Sequence, residues 1–349
     1  MFGNRLLVAN ATGASSIFGG ALPTTPWSKN KQGQGPAWSN SLFEDNAEFG
    51  LGFRLSLNNQ AKQASELLKK LTPFLSFDLV YDILEAKQAS EYNIELQKEN
   101  IEKLKGELVK IDIPEAYQLL QTVDALISKS VWIVGGDGWA YDIGYGGVDH
   151  VIASGENVNI LVLDNEVYDN TGGQMSKATP FGAAAKFAFK GKQKQKKDLG
   201  RLAMIYDNVY VASVAIGANQ KQTLKAFNEA ESFDGPSIII AYTHSSSHGI
   251  DMKNPSQYHK VAVDSGQWIL YRNDPRKEDQ GGNAFQLDSE KPSIKIKDYM
   301  MMQKRFDKVS KQNTNDIFRN LQVLVDKRFN KYLAIASANL PNRATLIDN

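Results

Sequence analysis

Two short stretches of this chain place oxygen ligands at the ends of apolar runs. In VWIVGGDGWAYDIGYGGVDH, the run that starts at Val131 ends in Gly135 and Gly136, and Asp137 and Gly138 follow at once. In NILVLDNEVYDNTGGQ, a second run delivers Asp164, Asn165, Glu166 and Val167 to its own end. A carboxylate, a carboxamide oxygen and a main-chain carbonyl are the hard ligands that Mg²⁺ prefers, and glycines let the backbone approach a diphosphate. Asp137 would supply a carboxylate oxygen, Asn165 a side-chain oxygen and Val167 a backbone oxygen; two diphosphate oxygens and a water would complete an octahedron. A Gly-Asp-Gly after a strand is by itself a tight turn. Two strand ends with complementary ligands predict a magnesium-held diphosphate cofactor, touched by Gly136, Asp137, Gly138, Asp164, Asn165 and Val167.

The elements that must hold these residues read as an α/β fold. Further apolar runs at 209–216, 237–244 and 267–272 predict strands, and 179–191, 220–232 and 256–265 predict helices between them. Continuous β-branched and apolar runs alternating with helices indicate a mainly parallel open sheet with helices on both faces, and such sheets bind ligands at the carboxyl ends of their strands. Upstream, residues 5–9 read as a strand without a preceding helix, so the chain is expected to start inside a larger architecture. Ser41 with Glu44 fits a capping box at the start of a helix over 41–50. Residues 55–127 shift to Lys, Glu, Gln and Leu at helical spacing, a helical insertion interrupted at Pro73 with one piece ending at Pro114. The expected organisation is one cofactor domain: a strand and loop over 1–54, the insertion over 55–127, the α/β core over 128–273, and an extension over 274–349 that is helical from 297 to about 338.

Composition narrows the function classes. The formal net charge of +1 over 349 residues gives no global case for nucleic acid or an anionic membrane. No apolar run is long enough to span a bilayer, and the first ten residues lack the charged start and apolar core of a secretory signal, so a cytoplasmic protein is expected. Cysteine is absent, which excludes disulfides, thiol nucleophiles and thiolate-bound metals within this chain.

GDGWAYDIGYGG followed by LDNEVYDNTGGQMSKATP resembles the thiamine-diphosphate-binding region of the pyruvate:ferredoxin (flavodoxin) oxidoreductases. ANATGASSIFGG, GQGPAWSNSLFEDNAEFGLG, ESFDGPSIIIAY and YRNDPRKEDQGGNAFQLDS resemble the carboxyl-terminal third of the same family, in the same order. The resemblance implies that Asp137, Asn165 and Val167 match the family's magnesium ligands and that Asn170 matches a polar residue near the reacting thiazolium, a catalytic candidate. It implies oxidative decarboxylation of pyruvate, or another 2-oxo acid, with coenzyme A to acetyl-CoA and CO2, with ferredoxin or flavodoxin as electron partner and a homodimer as the assembly. Thiamine diphosphate would supply the electron sink while the protein supplies positioning and electrostatics.

The departures are as informative. The family holds a [4Fe-4S] cluster near the thiamine with four cysteines, two of them upstream of the region matched here. The other two positions are Ala14 and Ser245 in this chain, so the cluster is not expected in it. The glutamate that activates the aminopyrimidine, the residues that grip pyruvate and the electron outlet belong to earlier domains; Glu166 sits in the metal-binding turn and is not that glutamate. The chain is therefore expected to be incomplete alone and to need the N-terminal domains as partners. Two other readings stay open: a non-catalytic remnant or assembly protein that keeps the fold, and a non-redox thiamine-dependent decarboxylase.

Other features have plainer readings. His244 and His248 follow a strand without a third ligand, which favours a loop or supporting role over zinc. Lys186, Lys190, Lys192, Lys194, Lys196, Lys197 and Arg201 read as a solvated face, with docking of an acidic electron carrier as the sharper alternative. Trp132, Trp139 and Tyr141 read as packing rather than cofactor stacking.

Overall fold

The computed structural model describes residues 3–311 and 314–338; residues 312–313 and 339–349 of the expected extension lie outside the described residues. The described residues build one eight-stranded sheet: β1 (Leu6–Ala11), β2 (Ala37–Ser41), β3 (Ser130–Gly136), β4 (Asn159–Asp164), β5 (Tyr210–Val214), β6 (Ser237–Tyr242), β7 (Tyr271–Asn273) and β8 (Phe285–Leu287). The spatial order is β2-β1-β3-β4-β6-β5-β7-β8. The central strands β3, β4, β6 and β5 pair in parallel, and β7 and β8 close that edge antiparallel. This is the mainly parallel open α/β sheet that the apolar runs predict.

The central strands are continuous hydrophobic runs because they are buried throughout. Ile133, Ile160, Val162, Val211, Ile238 and Ile239 are each fully excluded from water. Burying a side chain of this size contributes roughly 1.5–3 kcal/mol. Register then fixes where the site falls. Gly136 lies opposite Leu163, and Leu163 lies opposite Ala241, so the segments leaving β3, β4 and β6 emerge side by side.

The chain divides into two compact units, one of Met1–Leu7, Ser28–Ala37 and Gly50–Val131, the other of Val8–Trp27, Trp38–Phe49 and Trp132–Asn349. The first holds the predicted helical region. Ile94, Ile101, Leu104 and Leu108 form one face of the helix Glu91–Leu108 and bury against Leu68, Leu71 and Leu119. Pro73 falls in a 3-10 turn, Thr72–Phe74, as an interruption should. Pro114 does the opposite of what was expected: it opens the helix Pro114–Thr122, where its missing N–H is no loss.

Several expected elements differ. The first strand runs to Ala11 and follows a 3-10 turn at Gly3–Arg5. Ser41 ends β2 instead of capping a helix, its hydroxyl donating to the Leu42 carbonyl and the Asn46 side chain; the helix begins at Asn46. The predicted helix at 179–191 is absent, because Gly182, Phe187 and Gly191 have φ of 82°, 66° and 88°, which a right-handed helix cannot contain. The strand expected at 267–272 is the short β7, β8 was not foreseen, and the helix expected from 297 is divided into Ile296–Met301, Asp307–Ser310 and Thr314–Ser337. No described helix is long and apolar enough to cross a membrane.

Candidate cofactor site

Asp137 leaves the end of β3 fully buried, immediately before a π-helical turn, Gly138–Ile143. The i to i+5 bond from Gly144 N–H to the Trp139 carbonyl, at 2.9 Å, widens that turn. Trp139 fills the space the turn leaves. A Cβ on Gly135 would lie 2.4 Å from its ring and one on Gly144 2.3 Å, so these glycines serve packing. Trp132 stacks on Phe227 at 5.3 Å and Tyr141 is buried, while Trp139, also buried, lines the cavity described below. Gly138 lies under the Tyr168 ring, whose hydroxyl donates to the Gly138 carbonyl at 3.0 Å.

The second strand end brings its oxygens to the same place. The Asn165 carboxamide presents one atom 2.8 Å from Asp137 Oδ1 and 2.7 Å from the Val167 carbonyl oxygen. With its nitrogen there, the amide donates to both. With its oxygen there, three oxygens converge, an arrangement that repels unless a cation lies between them. Their spacing is near the edge of about 2.9 Å expected for an octahedron with ligands 2.0–2.1 Å from Mg²⁺. The chemistry of the donor set therefore fits a small hard cation. Ser176, which sequence reasoning missed, donates from its hydroxyl to Asp137 Oδ2 and fixes the carboxylate.

A cavity of about 560 Å³ opens beside these oxygens, lined by Gly136, Asp137, Gly138, Asn165, Val167 and Asn170. Thr12, Ala14 and Ser15 after β1, and Thr243 and His244 after β6, complete its wall. Pockets of this size hold ligands as large as a cofactor. Asn170 is exposed on a loop whose turn is set by Gly172 and Gly173, with φ of 102° and 91°. Ser245 is buried; its hydroxyl donates to Asp169 Oδ1 at 2.8 Å.

Asp164 departs from expectation. It does not line the cavity; its carboxylate turns behind the turn, where Tyr141 donates to it at 2.6 Å and Lys196 at 2.7 Å. Glu166, in the left-handed region at φ 65°, also points back and pairs with Arg305 at 2.6 Å and Lys196 at 3.3 Å. Burial works against its charge, yet Lys196 and Arg305 hold its carboxyl down at about 2. Asp137 has no such partner: burial, then the nearby Asp164, push its carboxyl well above the usual range. The lysine run is thus only partly a solvated face. Lys186, Lys190, Lys194 and Arg201 are exposed, but Lys192 donates to three carbonyls, of Ser176, Lys177 and Thr179, and Lys196 neutralises two acids. His248 supports the turn by its contact of 2.6 Å from Nε2 to the Asn165 carbonyl, and the described residues contain no cluster of three or more His, Asp or Glu able to hold a metal.

Residues 119–241 match the family described as thiamine pyrophosphate enzyme, C-terminal TPP binding domain. The chain is 55% identical over 344 residues to the pyruvate-flavodoxin oxidoreductase of Trichormus variabilis, covering 97% of this chain and 29% of that protein. It is 45% identical over 350 residues to the pyruvate:ferredoxin oxidoreductase of Moorella thermoacetica, covering 96% of this chain and 30% of that protein. A solved 2-oxoglutarate:ferredoxin oxidoreductase from Magnetococcus marinus aligns with a TM-score of 0.43 at 12% identity, over 74% of this chain and 60% of that one.

The matched segment 119–241, which carries Asp137, Asn165, Val167 and Asn170, is a thiamine-pyrophosphate-binding domain. The chain belongs to the thiamine-pyrophosphate-binding part of the pyruvate-flavodoxin oxidoreductase family, and it spans 29% of the length of its Trichormus relative.

Proposed function

We propose that this chain binds thiamine diphosphate through Mg²⁺ held by Asp137, Asn165 and the Val167 carbonyl, as the cofactor part of an enzyme that oxidatively decarboxylates pyruvate. The observation that carries this reading is the meeting of the Asp137 carboxylate, the Asn165 carboxamide and the Val167 carbonyl at the rim of a cavity, with the carboxamide 2.8 Å from Asp137 Oδ1 and 2.7 Å from the Val167 oxygen. Gly136 gives the diphosphate room, and Asn170 offers a side chain that can donate to, and accept from, a bound ligand. When bound, the cofactor supplies the electron sink for decarboxylation of a 2-oxo acid. The chain's own residues hold and orient it: Ser176 fixes Asp137, and the paired Glu166 fixes the turn that carries Asn165 and Val167.

The names of the relatives support pyruvate as substrate and flavodoxin or ferredoxin as electron partner. In this reading the reaction with coenzyme A needs domains beyond these 349 residues and proceeds in a homodimer. An iron-sulfur cluster serving it takes its thiolates from elsewhere, since this chain has no cysteine.

Calorimetric titration tests the reading directly. Thiamine diphosphate with Mg²⁺ is expected to bind the folded chain, more weakly without the metal, and to lose affinity in Asp137→Asn. Metal-independent binding, or equal binding by the variant, would overturn the assignment of the ligands.

A further inference from the structure

His244 and His259 form a pair that the cofactor reading leaves unused. His244 follows β6, is half-buried, and lines the cavity. Its Nδ1 lies 3.0 Å from Nε2 of His259, which belongs to the helix Pro255–Asp264 and is 4% exposed. The far nitrogen of His259, Nδ1, is buried with no partner among the described residues. The His259 ring packs edge-on against Tyr242, with centroids 5.1 Å apart, and its Cβ and Cγ lie beside Gly217.

One proton occupies the contact between the two rings, and the orphaned nitrogen decides which ring owns it. If His244 donated from Nδ1, a neutral His259 would carry its own proton on Nδ1, a buried donor with no acceptor. If His259 donates from Nε2, its Nδ1 is left as a bare acceptor. Orphaned buried N–H groups are the rarer of the two in folded proteins. A doubly protonated His259 is disfavoured as well, because burial first and His244 second push it down to about 4. His259 therefore donates, His244 Nδ1 accepts, and the proton of His244 is left on Nε2.

We propose that His244 is a fixed, neutral Nε2–H donor at the cavity wall, its tautomer set by His259, and that it binds an acceptor oxygen of a 2-oxo acid. The ligand half of this proposal rests on the thiamine diphosphate reading; the tautomer half does not. His244 would touch substrate, and His259 acts through it as a positioning residue. A neutral N–H donor is matched by a carbonyl or carboxylate oxygen in the cavity that His244 lines.

Long-range ¹H–¹⁵N spectra of protein labelled on its 4 histidines read the tautomers directly, with assignment by single substitutions. Near neutral pH both His244 and His259 are expected as Nε2–H tautomers. In His259→Leu, His244 should relax to a mixture, and in His259→Gln, whose amide can still donate, it should stay on Nε2. A proton on His259 Nδ1, or an His244 tautomer indifferent to both variants, overturns the proposal. Should His259→Leu fail to fold, the wild-type spectrum and the Gln variant still decide it. Pyruvate added to protein loaded with Mg²⁺ and thiamine diphosphate should shift the His244 Nε2 resonance, and His244→Phe should weaken pyruvate binding about tenfold, the scale of one hydrogen bond. An unmoved resonance at saturating pyruvate overturns the ligand assignment. Correct tautomers in a protein that gives no heat with the cofactor would count against the cofactor reading alone.

Discussion

The turn from Asp164 to Val167 has two sides that obey opposite rules. On the cavity side, the Asn165 carboxamide meets the Asp137 carboxylate and the Val167 carbonyl, and burial pushes the Asp137 carboxyl well above the usual range. On the other side, Asp164 and Glu166 are wholly buried, and Lys196, Arg305 and Tyr141 complete every charge. The left-handed conformation of Glu166 costs about 1–2 kcal/mol for a residue with a Cβ. It is sustained because Glu166 is anchored by two cations. A ligand site on a protein surface is made by leaving one face of a turn electrostatically unfinished, and that face keeps its geometry only because the opposite face is finished. Substitutions behind the turn should thus lower the stability of the protein alone, while substitutions in front should lower affinity and spare the fold.

The largest effect is expected from Arg305→Met. It leaves Glu166 buried with Lys196 as its remaining cation, already shared with Asp164, and should cost about 3–5 kcal/mol. Denaturant melts of the cofactor-free protein measure this, and Glu166→Gln in the same chain should recover part of the loss. If Arg305→Met melts like the parent, the rear face is not what holds the turn.

In front, Asp137→Asn should leave the cofactor-free protein as stable as before or slightly more so, since it removes a buried charge that burial and Asp164 already oppose. Affinity for Mg²⁺ and thiamine diphosphate should fall at least about a hundredfold, beyond the 10–100-fold typical of groups that only support a ligand. A marked drop in stability without ligand would erase the distinction between the two faces.

Acid should separate them too. Glu166, depressed to about 2, contributes stability that is fully present above its unfolded value near 4.5 and is lost as pH falls through about 2. His259 is also depressed, to about 4 by burial and His244, so its contribution is present above its unfolded value near 6.5 and is lost as pH falls through about 4. His248, against the Asn165 carbonyl, is likewise depressed, to about 3 by burial and then Arg305, and its contribution declines from near 6.5 as well. His259 should account for a decline on the order of 2–3 kcal/mol between its two values, so His259→Gln should make the profile shallower by about that much. An unchanged pH profile in that variant would assign the decline to other groups.

The two faces were not equally legible in the sequence. Asp137, Asn165 and Val167 stand out because each follows an apolar run, and strand ends in a parallel sheet are adjacent whatever the rest of the chain does. The rear face has no local signature. Lys196 looks like one more residue of a basic run, and the acids it neutralises lie 32 and 30 positions earlier, while Arg305 meets Glu166 across 139 residues. Likewise 179–191 has a helix-like composition, but Lys186 and Met175 bond to each other's neighbourhood across the Gln174 bridge, and the backbone is committed elsewhere. Pairings fixed by tertiary register override propensity. Ser41 and Glu44 show the same in miniature, since β2 claims Ser41 before a helix can.

The finest test of the comparison is Gly136→Ala. Its neighbours Gly135 and Gly138 are required by the protein, whose Trp139 and Tyr168 rings occupy the space a Cβ would fill, at 2.4 and 2.5 Å. At Gly136 an added Cβ would meet only the Leu163 carbonyl, at 3.9 Å, and its φ is not among the positive ones. Nothing in the fold asks for glycine there, yet the residue lines the cavity beside Asp137. Gly136→Ala should therefore change stability by less than about 1 kcal/mol, as a substitution into open space does. If a diphosphate approaches the backbone at this strand end, the same methyl group should weaken Mg²⁺-thiamine diphosphate binding by about three- to tenfold, a loss of the order of one displaced hydrogen bond. Unchanged affinity would mean the diphosphate lies against another part of the rim, and attention would move to the backbone of residues 12–15.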